Sequence, residues 1–194
     1  MFKLPADCDL FYDETFLSAT EADALYSELD TEFNLTNRTI TLADGSLFEM
    51  DTGCYLFTDS ELTSTDKLPA AWGERSPWTE SLQKVRDRIE SITDSKFHVA
   101  RCVLYRDGTE GIDYHQDLPA YGSTDVIASL SLGTERTFSL RCAITHQEQL
   151  SLRMPHGSLL IMGKGCQQHY EHAVPCEPDC QKPRLNITFR RFGY

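Results

Sequence analysis

"RLNITFRRF", residues 184–192, alternates strictly: Arg184, Asn186, Thr188 and Arg190 fall on one side of an extended chain and Leu185, Ile187 and Phe189 on the other. The period of two predicts a strand with one apolar and one wholly polar face, the latter carrying two cations. On a solvent-facing antiparallel strand such a face simply meets water. Turned inward, its two guanidinium groups require anionic partners, and a dicarboxylate supplies them.

Upstream, further short strand patterns separated by turn residues begin at residue 98: "HVARCVLY" (98–105), "DVIASLSLG" (125–133), "RTFSLRCA" (136–143), "LSLRM" (150–154) and "GSLLIMG" (157–163). Together they predict a barrel or a two-sheet jelly roll. Two helices precede them. "SATEADALYSELDTEF" (18–33) opens on a possible Ser18/Glu21 capping box and repeats Ala22, Leu25, Tyr26, Leu29 and Phe33 at helical spacing. "TESLQKVRDRIESITD" (79–94) carries the stripe Leu82, Val85, Ile89 and Ile92, with Ser76-Pro77 as a start signal. Residues 38–62 mix strand-like and turn-like pieces and read as a hairpin or lid over the mouth of the β core, and 63–78 read as a loop. The expectation is an α+β, mainly β, chain whose barrel or jelly roll is buttressed on one outer face by N-terminal helices. Residues 1–194 form one domain, with 1–97 as helical support and lid and 98–194 as the β core.

Bulk properties agree with one soluble globular domain. The 194 residues are 40% apolar and 25% charged, enough to bury a substantial core. No apolar run approaches the roughly 20 residues of a membrane span, so a membrane protein is not expected. The opening "MFKLPADCDLFYDETF" is neither a secretory signal nor an Arg-rich transit peptide, so a cytoplasmic protein is expected, and a monomer is expected besides. Seven scattered cysteines fit free thiols better than a disulfide framework. Cys176 and Cys180 are too loosely spaced from His169 and His172 to make a convincing zinc site. The net charge of −12 is uneven: residues 1–97 hold 20 acids and 8 bases, residues 98–194 hold 10 of each. An acidic half is repelled by phosphate and opposes tight non-specific nucleic-acid binding.

The chemistry begins at "DYHQDLP" (113–119), where His115 and Asp117, two apart on an extended segment, point to one side. Alone, this is more often a surface pair than a site. "QQHYEHAVP" (167–175) adds His169 and His172, which differ by three and so fall on opposite faces of a strand; only one can join the first pair. Two histidines and one carboxylate form the facial triad of non-haem Fe(II) oxygenases. A partly buried structural histidine is the competing reading.

Four ordered blocks, "FHVARCVLYRDGTEGIDYHQD", "IASLSLGTERTFSLR", "HGSLLIMGKGCQQHYEHAVP" and "RLNITFRRF", cover nearly all of residues 97–192 and resemble the AlkB-like 2-oxoglutarate- and Fe(II)-dependent dioxygenases. The resemblance implies a double-stranded β-helix, or jelly roll, with 98–194 as its catalytic core and with Fe(II), 2-oxoglutarate and O2 as the reacting partners. It implies His115, Asp117 and His172 as iron ligands, with His172 preferred over His169 because it precedes "AVP". Arg184 and Arg190, helped by Tyr105 and Asn186, match the cosubstrate partners. The implied activity is oxidative demethylation of N-alkylated nucleobases in DNA or RNA, releasing formaldehyde, succinate and CO2. A protein side chain or small metabolite is the alternative substrate.

Three departures bear on substrate. Val103 stands where many members have asparagine, Leu118 and Pro119 where repair members tend to carry acids, and the acidic region 38–62 matches the family's lid poorly. Tyr55 is a candidate stacking aromatic for a flipped base, with structural burial the commoner alternative. Arg136 and Arg141 are candidates for phosphate or base edges, against a plain strand-surface role. His156 reads as a turn residue, and His98 and His146 have no partner at useful spacing.

Overall fold

The protein is described by a computed structural model that covers residues 1–41, 44–64, 68 and 73–193. In chain order the elements are β1 (Phe2–Lys3), β2 (Leu10–Asp13), α1 (Ala19–Glu32), β3 (Thr39–Thr41), β4 (Leu47–Glu49), β5 (Gly53–Thr58), α2 (Ser60–Thr63), β6 (Glu74–Pro77), α3 (Glu80–Thr93), β7 (Val99–Tyr105), β8 (Ile112–His115), β9 (Ile127–Gly133), β10 (Arg136–Cys142), β11 (Glu148–Met154), β12 (Leu159–Met162), α4 (Cys166–His169), β13 (Tyr170–Val174) and β14 (Arg184–Arg190).

Twelve of the strands form two sheets, ordered β1-β2-β12-β9-β14-β7-β5-β6 and β11-β10-β13-β8. Every pairing is antiparallel except β5 with β6. This is the two-sheet jelly roll of the expectation, not a closed barrel. The strand β14 sits near the middle of the larger sheet, paired with β9 on one side and β7 on the other, and all seven of its residues are buried. Its polar face therefore does not meet bulk water.

The outer face of the larger sheet is closed by α1 and α3. Ser18 caps α1 through the expected capping box: its Oγ accepts from the Glu21 N–H while Glu21 Oε2 accepts from the Ser18 N–H at 2.8 Å. Ala22, Leu25 and Leu29 then share one apolar cluster with Leu82, Val85 and Ile89 of α3 and with Leu185, Ile187 and Phe189 of β14. Ile92, expected in the α3 stripe, is 48% exposed, because the last turn runs past the edge of the cluster. The start of α3 also moves. Thr79, whose hydroxyl accepts from the Leu82 N–H at 3.2 Å, is its cap, and Ser76-Pro77 ends β6 instead of opening the helix.

That strand corrects the reading of 63–78 as loop, of which 65–67 and 69–72 lie outside the described residues. It pairs parallel to β5 at the sheet edge, where proline's missing donor is tolerated. Residues 1–97 thus do more than buttress: β1, β2, β5 and β6 are half the strands of the larger sheet. Between the sheets, one end of the interior is apolar, built from Leu10, Ile127, Phe138, Leu140, Leu160 and Met162 among others. The other end holds the inward residues of β7 and β14.

Candidate metal centre and cosubstrate pocket

His115 is the last residue of β8 and pairs directly across the ladder with His172 of β13, so both rings enter the space between the sheets. Their centroids lie 4.3 Å apart. Asp117 falls just beyond β8, where no ladder holds it. Its backbone N–H donates instead to Gln167 Oε1 at 2.8 Å, a side chain 50 residues away. The outcome is a tight cluster: Asp117 Oδ2 is 3.6 Å from His172 Nε2, Asp117 Oδ1 is 4.0 Å from His115 Nε2, and the three donor atoms all lie within 4.8 Å of one another.

The donors are in the right protonation state for a cation. His115 Nδ1 lies 2.8 Å from the Asp113 carbonyl oxygen; a carbonyl only accepts, so Nδ1 bears a hydrogen and Nε2 is the ring atom turned to the cluster. Burial pushes the His172 imidazole down to about 4, so it is neutral at pH 7. Burial alone would raise the Asp117 carboxyl. Arg190, with Nη2 2.5 Å from Oδ1, and the two histidines hold it below the usual carboxylate range. Asp117 Oδ2 is buried without a hydrogen-bond partner, an acceptor that only a cation would satisfy well. The residues fit a divalent metal. Among the described residues this is the one such cluster, and Cys176, Cys180 and His169 form none. His169 ends α4 with Nδ1 3.3 Å from the Asp7 carbonyl oxygen.

Behind the cluster, a pocket of about 60 Å³ is lined by Tyr105, Ser129, Asn186, Arg184 and Arg190 as well as the three ligand candidates. Arg184 is 2% exposed and donates from Nη2 to Ser131 Oγ at 2.9 Å, while its Nε and Nη1 have no partner. Among the described residues no carboxylate forms an ion pair with it. Its guanidinium lies 5.4 Å from the centre of the Tyr105 ring, whose phenol burial keeps protonated. A buried guanidinium with no carboxylate partner and two unused donor atoms, beside a protonated hydroxyl, is a carboxylate site. The other two expected residues differ. Arg190 spends its charge on Asp117, and Asn186 Nδ2 is engaged by Ser129 Oγ at 2.8 Å and the Leu130 carbonyl at 3.0 Å. Asn186 therefore braces the pocket wall and offers no free donor.

The three substrate candidates do not face this site. Tyr55 is on the outer face of the larger sheet, 6% exposed, packed against Phe33 and Phe57 and hydrogen-bonded to Ser76 Oγ at 2.6 Å. It is a core residue. Arg136 is fully buried and donates to the carbonyls of Asp107, Glu110 and Pro175, stapling the loop before β8 to the end of β13. Arg141 lies on the outer face of the smaller sheet, paired with Glu171 at 2.6 Å and stacked on Tyr114 at 3.9 Å. The aromatic that the hairpin of β3 and β4 brings to the mouth is Phe48. With Met50, Leu118 and Tyr121 it bounds a cavity of about 400 Å³ that opens onto His115 and Asp117. The hairpin is fastened by Arg38, which donates to the Asp51 carbonyl and pairs with Glu110. "LFEM" after the Gly45 turn was the available signal for Phe48; Gln167 had none, since its role exists only after folding.

A jelly roll carrying two histidines and a carboxylate on its inner wall, beside a buried anion site, defines a non-haem Fe(II) oxygenase scaffold. Residues 9–190 match the model of the 2OG-Fe(II) oxygenase superfamily, and the chain belongs to it. Membership brings Fe(II), 2-oxoglutarate and O2 as metal and cosubstrates. The chain is 38% identical over 122 residues to alpha-ketoglutarate-dependent dioxygenase alkB homolog 3 of Mus musculus, covering 58% of this chain and 43% of that one. It is 32% identical over 183 residues to DNA oxidative demethylase ALKBH2 of Bos taurus, covering 88% and 64%. The chain thus spans less than half the length of the alkB homolog 3 relative. The solved structure of OsALKBH1 shares the fold, with a TM-score of 0.64 at 16% identity over 96% of this chain and 99% of that one.

Proposed function

We propose that this chain is a 2-oxoglutarate- and Fe(II)-dependent dioxygenase that oxidatively demethylates N-alkylated nucleobases in DNA or RNA. The observation that carries the oxygenase reading is Arg184, a buried cation without a carboxylate partner, placed beside a donor cluster ready for a metal. A dicarboxylate held by Arg184 beside a metal held by His115, Asp117 and His172 would answer both.

Bound Fe(II), with 2-oxoglutarate and O2, supplies an oxidant that inserts one oxygen atom into a C–H bond while the other leaves in succinate, with loss of CO2. The protein's part is to hold and to exclude. His115, Asp117 and His172 fix the metal; the Asp113 carbonyl orients His115; Arg190 keeps Asp117 ionised; Tyr105 and Arg184 orient the cosubstrate. On an N-methyl group the product is an N-hydroxymethyl, whose C–N bond breaks to give formaldehyde while the ring nitrogen takes the hydroxyl proton. The names of the relatives support a nucleobase, and the cavity beside Phe48 offers room next to the metal. The same reading expects the enzyme in the cytoplasm, in keeping with cysteines that form no disulfide, and as a monomer.

A protein side chain or small metabolite remains the second reading, favoured by Glu49, Asp51 and Asp113 along the outermost cavity, where phosphates would be repelled. Methylated single- and double-stranded DNA and RNA, assayed for formaldehyde and base mass, separate the two. Demethylated base is expected. Uncoupled succinate formation with no change in any base would favour the second reading.

A further inference from the structure

Three cavities meet at the metal cluster, and two residues line all of them: His115, already accounted for, and Arg101. Arg101 belongs to β7, paired in register with Thr188 of β14 and Leu56 of β5, and the alternation of that strand puts it on the inner face with Val103 and Tyr105. It sits beside the Cys54 thiol and the Tyr121 phenol, and the Asp117 carboxylate, itself paired with Arg190, is within reach of its charge. Among the described residues it makes no ion pair with a carboxylate. The other residues of the cavity next to the metal are Phe48, Met50, Gln116, Leu118 and Ala120, all uncharged, with Arg190 and Asp117, which are paired to each other. Glu49, Asp51, Glu110 and Asp113 line only the outermost cavity, and Glu110 is already bound by Arg38 and Arg106. Where a reacting methyl group must sit, the wall therefore offers a cation and no uncommitted acid.

Alkylated bases divide by charge. A methyl group on N1 of adenine or N3 of cytosine adds to a ring nitrogen that carries no proton and leaves the base cationic near neutral pH. On N3 of uracil or thymine, or N1 of guanine, the methyl replaces a proton, and the base stays neutral with carbonyl oxygens on either side or beside the alkylated position. A guanidinium repels the first class and donates hydrogen bonds to the second. We propose that Arg101 makes this site selective for neutral, carbonyl-bearing N-alkylated bases over cationic ones. The proposal rests on the nucleobase reading above and narrows it.

The test compares oligonucleotides of one sequence carrying N3-methyluracil, N1-methylguanine, N1-methyladenine or N3-methylcytosine. Two quantities are measured: kcat/KM by formaldehyde and base mass, and affinity of the metal-free protein by fluorescence anisotropy. Both are expected to favour the neutral bases by about ten-fold or more. Arg101→Leu should erase or invert that preference, and Arg101→Lys, which keeps the charge, should retain its direction. Wild-type preference for the cationic bases, or an unchanged ratio in Arg101→Leu, would overturn the proposal while leaving the nucleobase reading intact. The wild-type ratio decides by itself should the leucine variant fail to fold. Absence of demethylation on all four bases would instead overturn the nucleobase reading, and this proposal with it.

Discussion

On β14, Leu185, Ile187 and Phe189 are completely buried against α1 and α3, while Arg184, Asn186, Thr188 and Arg190, at most 9% exposed, look into the space between the sheets. The same seven residues thus serve two interiors of opposite character. The outer one removes apolar surface from water and contributes stability in the usual way. The inner one buries two guanidinium groups and leaves Arg184 Nε, Arg184 Nη1 and Asp117 Oδ2 without partners, which costs stability. A fold optimised only for stability would not retain these atoms. Their persistence teaches that the inner face is shaped for what it binds and the outer for holding it in place.

Substitutions on the two faces should therefore separate function from stability. The largest effect belongs to the metal cluster: His115→Ala should abolish iron- and 2-oxoglutarate-dependent turnover, by about 1,000-fold or more, with the melting temperature little changed. Undiminished turnover would remove His115 from the ligand set. Next, Arg184→Met should lose about 100-fold in turnover at low 2-oxoglutarate and melt no lower than wild type, because it deletes a buried charge that lacks an ion-pair partner. A large fall in melting temperature without a change in cosubstrate dependence would break the comparison. On the opposite face, Ile187→Ala should reverse the pattern, costing roughly 2–4 kcal/mol in urea unfolding with the cosubstrate requirement intact.

The polar face of β14 was legible in the sequence because strict alternation is a local property, and so were His115, Asp117 and the capped helices. Which way the faces point was not. Tyr55 and Arg136 carry the residue types of a substrate site, yet the register of β5 turns Tyr55 toward Phe33, and Arg136 is consumed by three backbone carbonyls. Neither fact has a local signal. The same holds for β6, whose strand state depends on β5 beside it, and for Gln167, which touches Asp117 only because α4 is placed against the end of β8.

Gln167 offers an intermediate test. Replacing it with alanine should weaken iron binding by about 10-fold through loss of the Asp117 anchor, with Gln167→Glu, whose carboxylate oxygen still accepts the Asp117 N–H, retaining it. Equal iron affinity in wild type and Gln167→Ala would limit its role to packing. The smallest effect lies on neither face. Burial disfavours the charge of Glu177, yet the Thr137 N–H and Arg153 hold its carboxyl down to about 2. A carboxyl lowered on folding contributes stability that is complete above its unfolded value of 4.5 and fades as pH falls toward 2. Glu177→Gln should therefore cost about 1–2 kcal/mol at pH 7, discounted for its partial exposure, and converge with wild type in acid. A constant difference across that range would mean the loss is not one of charge.

The central claim is that the inner face holds a metal at His115, Asp117 and His172 together with a dicarboxylate at Arg184. Anaerobic titration with Fe(II) and then 2-oxoglutarate reads it directly by visible absorption. One equivalent of iron should bind, and 2-oxoglutarate should raise a metal-to-ligand charge-transfer band that is absent in His115→Ala and needs far more cosubstrate in Arg184→Met. No iron binding, or a band indifferent to both substitutions, would contradict it.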